Sequence, residues 1–430
     1  MSANGVVVLG AGLSGLGCAD ELPGARIFEA RSAPGGHATS HAFAGAWFDE
    51  GAHISHSVNP AFLRHVLPHA PRLHEIHAAK VRNYWHGRWC TYPVQNHLHE
   101  LSEEDRIAAL TDFVAAQAGA GEAVATDYAA WCRRQYGEFL TQRFYAEYTA
   151  KYWRVPMEEL ATDWLSGRLL PGQVARVVAG AIRAQPEEQA AFARFRYPAQ
   201  GGFQALFGRQ FGQLGATCNE RAMAVNAQRR CVRFASGREE SYEALATSIP
   251  MPDLVAMLED CPAELRTAAQ TLRHTKLLCV NVVLNMPRVC DDHWFYVYDA
   301  DLEAARVSVP SNLAPDMLPP EQSALQAEVF RRADEPWDVT ALTEETVSGL
   351  TRILPFTMAD VATVSAVEVS HAYPISDQKR GPASESIARW LEARRIFPMG
   401  LFGRWRYIWS DAAYLDGRDV GACIRKELSL

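Results

Sequence analysis

The sequence predicts an α/β fold: a parallel sheet begun near the N-terminus, an inserted, mainly helical lobe, and a β-rich region after it. Three observations carry this reading. Residues 5–22 place a glycine-rich turn between an apolar, β-branched run and a helical segment. From about 100 to 195 the chain is alanine-rich and helical in period. From about 223, short alternating segments return, which is the period of half-buried strands. At 430 residues the chain has room for two or three domains and for a deep site between them.

Each element follows in order. Gly5-Val6-Val7-Val8-Leu9 suits a strand buried on both faces of a parallel sheet. Gly10-Ala11-Gly12-Leu13-Ser14-Gly15 then breaks the strand, and Cys18 to Leu22 continues as helix up to Pro23-Gly24. Arg26 to Ala30 reads as a second strand, completing a β-α-β unit. In the G-x-G-x-x-G pattern Gly10 makes the tight turn and Gly12 lets the backbone approach a pyrophosphate. Gly15, with Ala19, allows close packing of helix on sheet, and Glu29 stands where a carboxylate accepts ribose hydroxyls. The phosphates would meet the open N–H groups of the helix N-terminus. This is a Rossmann-type dinucleotide site.

Further along, aromatic and leucine positions recur at helical spacing from Tyr128 to Tyr152, a pattern that reads as core packing. Pro156, Pro171 and Pro198 are expected to mark helix boundaries. Strands are expected at 222–225, 230–234, 244–249, 279–286 and 294–298, and helices at 387–394 and 412–426. The expected division is a discontinuous nucleotide-binding domain (1–85, 200–265 and 385–430), a helical lobe (86–199) and a β-rich substrate region (266–384).

Composition and charge exclude some classes of partner. The net charge of −8 supplies no basic field for nucleic acid. No window approaches the ~20 apolar residues of an integral membrane segment, and no secretory leader is recognisable at the start, so a cytoplasmic location is expected. Nine scattered cysteines without a CxxC pair fit free thiols in a reducing compartment. Eleven of the fourteen histidines lie between His37 and His99, but their irregular spacing does not match zinc ligation, and no metal is expected. Oligomeric state is left open.

Beyond the first motif, the sequence resembles a known flavoprotein family. Arg31-Ser32-Ala33-Pro34-Gly35-Gly36-His37 resembles the R-x-x-x-G-G-R/H segment that follows the ribose acid in FAD-dependent amine oxidases. Phe48-Asp49-Glu50-Gly51-Ala52-His53-Ile54-Ser55-His56 resembles the D-x-G-x-H-x-x-H segment of UDP-galactopyranose mutases and protoporphyrinogen-oxidase-like proteins, where it lies near the flavin ring. Similar stretches recur at 89–98, at Lys151 to Arg168, and at Phe195 to Phe203. Gly400 to Asp411 is similar to the family's G-R-x-G-x-(Y/W)-x-Y-x-x-x-D closing motif, with Leu401 where the family has arginine.

The resemblance implies FAD as the cofactor. Its binding residues would be Gly10, Gly12, Leu13, Ser14, Gly15, Glu29, Ala30, Arg31, Gly35, Gly36, His37, Gly51, His53, Gly403 and Asp411. His53, His56, Arg406 and Tyr407 would serve catalysis, with His53 nearest the reacting ring nitrogen. Trp405 would line the far wall with Arg406 and Tyr407. Arg154, Arg168 and Arg306 are available to hold a diphosphate, and Arg404 or Arg406 could replace the arginine absent at Leu401. The leading expectation is an FAD-dependent oxidoreductase of the amine-oxidase or protoporphyrinogen-oxidase type, acting on a small molecule such as a sugar nucleotide. The alternatives are a non-redox mutase and a flavin-binding protein without turnover.

Overall fold

The computed structural model describes residues 3–119, 125–185 and 194–430. Residues 120–124 and 186–193 belong to the tract expected to be helical and lie outside the described residues. Val6–Leu9 is central in a four-stranded, wholly parallel sheet of order Ile396–Pro398, Ala244–Thr247, Val6–Leu9, Arg26–Phe28. The four valine and leucine side chains of the first strand are all buried, as expected for a strand covered on both faces.

Helix Leu13–Glu21 follows the glycine turn and packs along helix Ser410–Glu427. The two backbones are nearly in contact. A Cβ on Gly17 would lie 2.0 Å from the Tyr414 carbonyl oxygen, and one on Gly417 would lie 1.9 Å from that of Ser14. Beside the sheet, Ala222–Asn226, Cys231–Phe234 and Glu239–Ser241 form a small antiparallel meander.

The second large element is a seven-stranded mixed sheet. Its order is Val361–Pro374, His274–Leu284, Ser323–Arg332, Arg306–Ser308, Trp294–Val297, Val81–Trp85, Arg88–Thr91. Strands Val81–Trp85 and Arg88–Thr91, on either side of residue 86, both join this sheet. Helices Glu103–Ala118, Tyr128–Leu140, Glu147–Tyr152 and Val174–Ile182 form the lobe above it. Pro156 and Pro171 stand in breaks between helical segments, as expected. Pro198 does not: it ends strand Phe195–Pro198, which pairs antiparallel with Leu73–Ile76. The alternating Phe195-Arg196-Tyr197 pattern outweighs the helical composition before it. Helix Arg380–Glu392 starts seven residues earlier than its apolar spacing indicates. Among the described residues no helix is long and apolar enough to cross a membrane.

Candidate functional site

A cavity of about 490 Å³ runs from the first glycine turn, between the sheets, into the helical lobe. Gly10, Gly12, Leu13, Ser14, Glu29, Arg31, Gly35, Gly36 and His37 line one end. The turns at Gly12 and Gly36 face each other so closely that a Cβ on Gly36 would stand 3.0 Å from the Gly12 Cα. Glu29 is buried, and its two oxygens accept the N–H groups of Ala11 and Arg31, both at 2.8 Å. Its carboxylate is thereby fixed at the cavity edge with lone pairs to spare for hydroxyl donors. Gly15 lies behind the lining, where a Cβ would meet the Gly10 carbonyl oxygen at 2.0 Å; it serves helix–strand packing, as the motif predicts.

Next to this end, Glu50 gathers the cations. Arg31 donates to its two oxygens at 2.6 and 3.3 Å, and the His37 and His41 rings stand 3.5 and 3.3 Å away. Burial alone would raise the Glu50 carboxyl, but hydrogen bonds from His37, His41 and Arg31 hold it well below the usual carboxylate range. Asp49 points the other way. Its buried carboxylate accepts from Ser40 Oγ, Tyr197 Oη and the Phe203 N–H. Burial pushes its carboxyl up despite the nearby His53 and those donors. Two motifs far apart in sequence, 48–56 and 195–203, are joined at this carboxylate.

His53 lines the cavity and stacks on Phe203, ring centroids 5.1 Å apart. Its Nδ1 lies 2.9 Å from the Gly51 carbonyl oxygen. That oxygen can only accept, so Nδ1 carries a proton, and it is Nε2 that bears the lone pair when the ring is neutral. His56 also lines the cavity, edge-on to Trp409 at 4.5 Å, and burial lowers its pKa.

The far end is a chamber of aromatic rings. Tyr148 and Tyr152 stack at 5.5 Å, Tyr373 lies 5.2 Å from Tyr152, and Tyr407 lies 5.1 Å from Tyr373. The Tyr152 and Tyr407 hydroxyls are 2.9 Å apart. Burial raises the phenols of Tyr148, Tyr152 and Tyr373, the last to about 12, so they remain donors. Two guanidinium groups serve the chamber. Arg168 lies over Tyr407 at 3.7 Å and Trp409 at 4.5 Å, in cation–π range. Arg306 is held bidentately by the fully buried Glu328 at 3.0 and 2.7 Å, and Glu328 Oε1 also accepts the Ala52 N–H.

The structure therefore departs from the sequence reading at several residues. Tyr128 and Tyr152, buried, and Tyr145 and Tyr148, partly buried, whose spacing reads as core, also line the chamber. Arg406 does not line the cavity. The chain turns at Trp405 (φ +53°), and Arg406 donates to Asp416, which Arg404 also faces at 3.2 Å. Neither arginine replaces the one absent at Leu401, which lines the cavity. Trp405 is buried away from the cavity, against His274. Ala30, Gly51, Gly403 and Asp411 lie outside the lining. A Cβ on Gly403 would press on the Thr247 carbonyl oxygen at 2.8 Å, while Asp411 lies in the first turn of helix Ser410–Glu427 and accepts from Ser57. Arg154 pairs with Glu335, away from the cavity. Among the described residues no group of three or more His, Cys, Asp or Glu could hold a metal ion.

Phe402, next to Leu401, packs against a second histidine cluster. His274 and His371 stack in parallel at 4.1 Å, and Phe402 lies 5.4 Å from His371. Burial and the neighbouring His371 push His274 down to about 4, and burial likewise lowers His371 although Asp253 opposes it. The unfolded chain then binds more protons than the folded one between about pH 6.5 and pH 4. Stability present above pH 6.5 should be lost as pH falls through this window, by up to about 3 kcal/mol for His274. Urea unfolding of wild type and His274→Phe between pH 7 and pH 4 checks this, and the variant should lose less.

Comparison with known proteins agrees with this architecture. Residues 8–67 match the family model of the NAD(P)-binding Rossmann-like domain. The whole chain is similar in structure to reduced UDP-galactopyranose mutase, with a TM-score of 0.90 at 22% identity, covering 98% of this chain and 95% of that one. A putative protoporphyrinogen oxidase from Exiguobacterium sp. 255-15 gives 0.76 at 15% identity, over 99% of this chain and all of that one. A redesigned putrescine oxidase gives 0.64 at 14%, covering 98% of each chain. The protein thus combines a dinucleotide-binding Rossmann-like domain with the mixed-sheet fold of the mutases and amine oxidases.

Proposed function

We propose that the chain is a flavoenzyme that binds FAD at the glycine turns and rearranges a sugar nucleotide without net oxidation, in the manner of UDP-galactopyranose mutase. The observation that supports it is the tyrosine chamber carrying Arg168 and Arg306, continuous with the dinucleotide end of one cavity. Aromatic faces suit a sugar or base ring, and guanidinium groups suit phosphate oxygens. The cradle fits a dinucleotide: Gly36, at φ +55°, has no room for a side chain against the Gly12 Cα, and Glu29 is preset for ribose hydroxyls. When bound, FAD supplies a ring nitrogen able to act as a nucleophile or a hydride acceptor.

The chain's own residues do the rest. The hydroxyls of Tyr152, Tyr373 and Tyr407 offer a hydrogen-bonding edge to the substrate, one hydrogen of the Tyr152–Tyr407 pair being shared between the two, and the surrounding rings exclude water. His53 Nε2 accepts a proton next to the flavin end. The leading sequence expectation, an oxidase-type reaction, keeps one observation in its favour: the apolar Leu401 in the wall, with Arg404 and Arg406 turned to Asp416.

Two experiments test this reading. Heat-released cofactor from the yellow protein should be FAD, and Glu29→Lys should weaken its binding by about 2 kcal/mol, near 30-fold in Kd. Release of NAD instead overturns the cofactor assignment. Dithionite-reduced enzyme should interconvert the pyranose and furanose forms of UDP-galactose under nitrogen, while substrate alone should not bleach the oxidised flavin. Bleaching by an amine or sugar substrate, with no ring interconversion, favours the oxidase reading.

A further inference from the structure

Lys151 is a partly buried ammonium that the proposed chemistry does not use. It lies on helix Glu147–Tyr152, whose Tyr148 and Tyr152 line the chamber. Its Nζ donates to three backbone carbonyls of one bend, those of Asp299 at 3.0 Å, Leu302 at 2.7 Å and Ala304 at 2.7 Å. An ammonium has three hydrogens and no acceptor, so this tripod uses all of its capacity. The carboxylates of the same bend have other partners. Asp299 accepts from the His86 and Gly87 N–H groups, Asp301 from Arg352, and Glu303 pairs with Arg331.

The bend joins two chamber residues. Tyr298 precedes it and Arg306 follows it, and the Tyr148 ring lies 5.4 Å from that of Tyr298. The helix bearing one wall is thus fastened to the strand connection bearing the other. We propose that Lys151 is a positioning residue that sets the width of the aromatic chamber by tying the helix to the 299–304 bend through three carbonyls. The argument rests on the chamber's geometry and not on which reaction takes place there.

Arginine cannot reproduce the tripod, because its donors lie in one plane. A free ammonium ion can. Lys151→Ala should therefore leave a carbonyl-lined space that ammonium fills. Hydrogen exchange followed by mass spectrometry reads this without any substrate. In Lys151→Ala, protection of the amides of residues 298–305 should fall about tenfold or more, while residues 6–28 keep theirs. Ammonium chloride should restore it, and sodium chloride at equal ionic strength should not. Lys151→Met fills the volume without the charge, so it should lose protection and not respond to ammonium; it also serves if the alanine variant does not fold. Wild-type protection in folded Lys151→Met, equal loss over the whole chain, or failure of ammonium to rescue the alanine variant overturns the proposal.

Discussion

Arg306→Met should destabilise the folded chain by about 3–5 kcal/mol, because it strands the Glu328 carboxylate in the interior. Glu328 has no exposed surface, and Arg306 supplies two of the three hydrogen bonds recorded for its oxygens. Burial alone would lower the guanidinium's pKa, yet the carboxylate outweighs it and raises it well above its usual value. The loss should fall mainly on the uncompensated charge rather than on a missing attraction, since a buried pair repays its desolvation only in part. The double variant Arg306→Met, Glu328→Gln should therefore recover most of the stability, with the introduced amide oxygen still able to accept the Ala52 N–H. Urea midpoints of the wild type, the two single variants and the double variant measure the coupling. Simple addition of the single losses would show that the two residues do not act as a pair.

The second large effect is expected at the crossing of helices Leu13–Glu21 and Ser410–Glu427. Gly417→Ala would place a methyl 1.9 Å from the Ser14 carbonyl oxygen. The obstacle is backbone, so no side chain can turn aside, and the helices must separate. Overpacking typically costs about 1–3 kcal/mol, and a backbone clash belongs at or above the top of that range. Ser14 also lines the dinucleotide end of the cavity, so cofactor affinity should fall with stability. Gly381→Ala is the control: it lies in helix Arg380–Glu392, and its Cβ would meet nothing within 4 Å. That change should be neutral or stabilising by up to about 1 kcal/mol. Thermal melts with and without added FAD separate the two effects, and a harmless Gly417→Ala would mean that the helices can slide apart freely.

The dinucleotide end of the site could be read from sequence because its chemistry is local. Gly10, Gly12, Gly15 and Glu29 fall within one β-α-β unit, and each follows from backbone geometry. The chamber could not be read in this way. Tyr148 is on a helix, Tyr298 just past a strand, Tyr373 in a strand and Tyr407 in a loop, and only the tertiary fold brings them together. Helical spacing of Tyr145, Tyr148 and Tyr152 cannot tell a cavity wall from a filled core, since both bury one face. Arg406 looked suitable by its place beside Tyr407, but the left-handed turn at Trp405 and the carboxylate of Asp416, ten residues on, draw it away. In the sequence Arg306 is one of several arginines able to hold a diphosphate. What sets it apart is Glu328 opposite it on the neighbouring strand, a register invisible along the chain.

The four parallel strands of the nucleotide-binding sheet come from residues 6–9, 26–28, 244–247 and 396–398, and the helix that covers Gly17 spans 410–427. Assembly of this sheet must therefore wait for segments that leave the ribosome nearly four hundred residues apart. The glycine motif at 10–15 is thus made well before the segments that complete it. Until the later helix docks, the first helix presents a bare glycine face, open to whatever apolar surface it meets. A chain truncated before residue 410 should consequently emerge with its nucleotide motif intact and no working nucleotide site, and depend on chaperones rather than on its cofactor for protection.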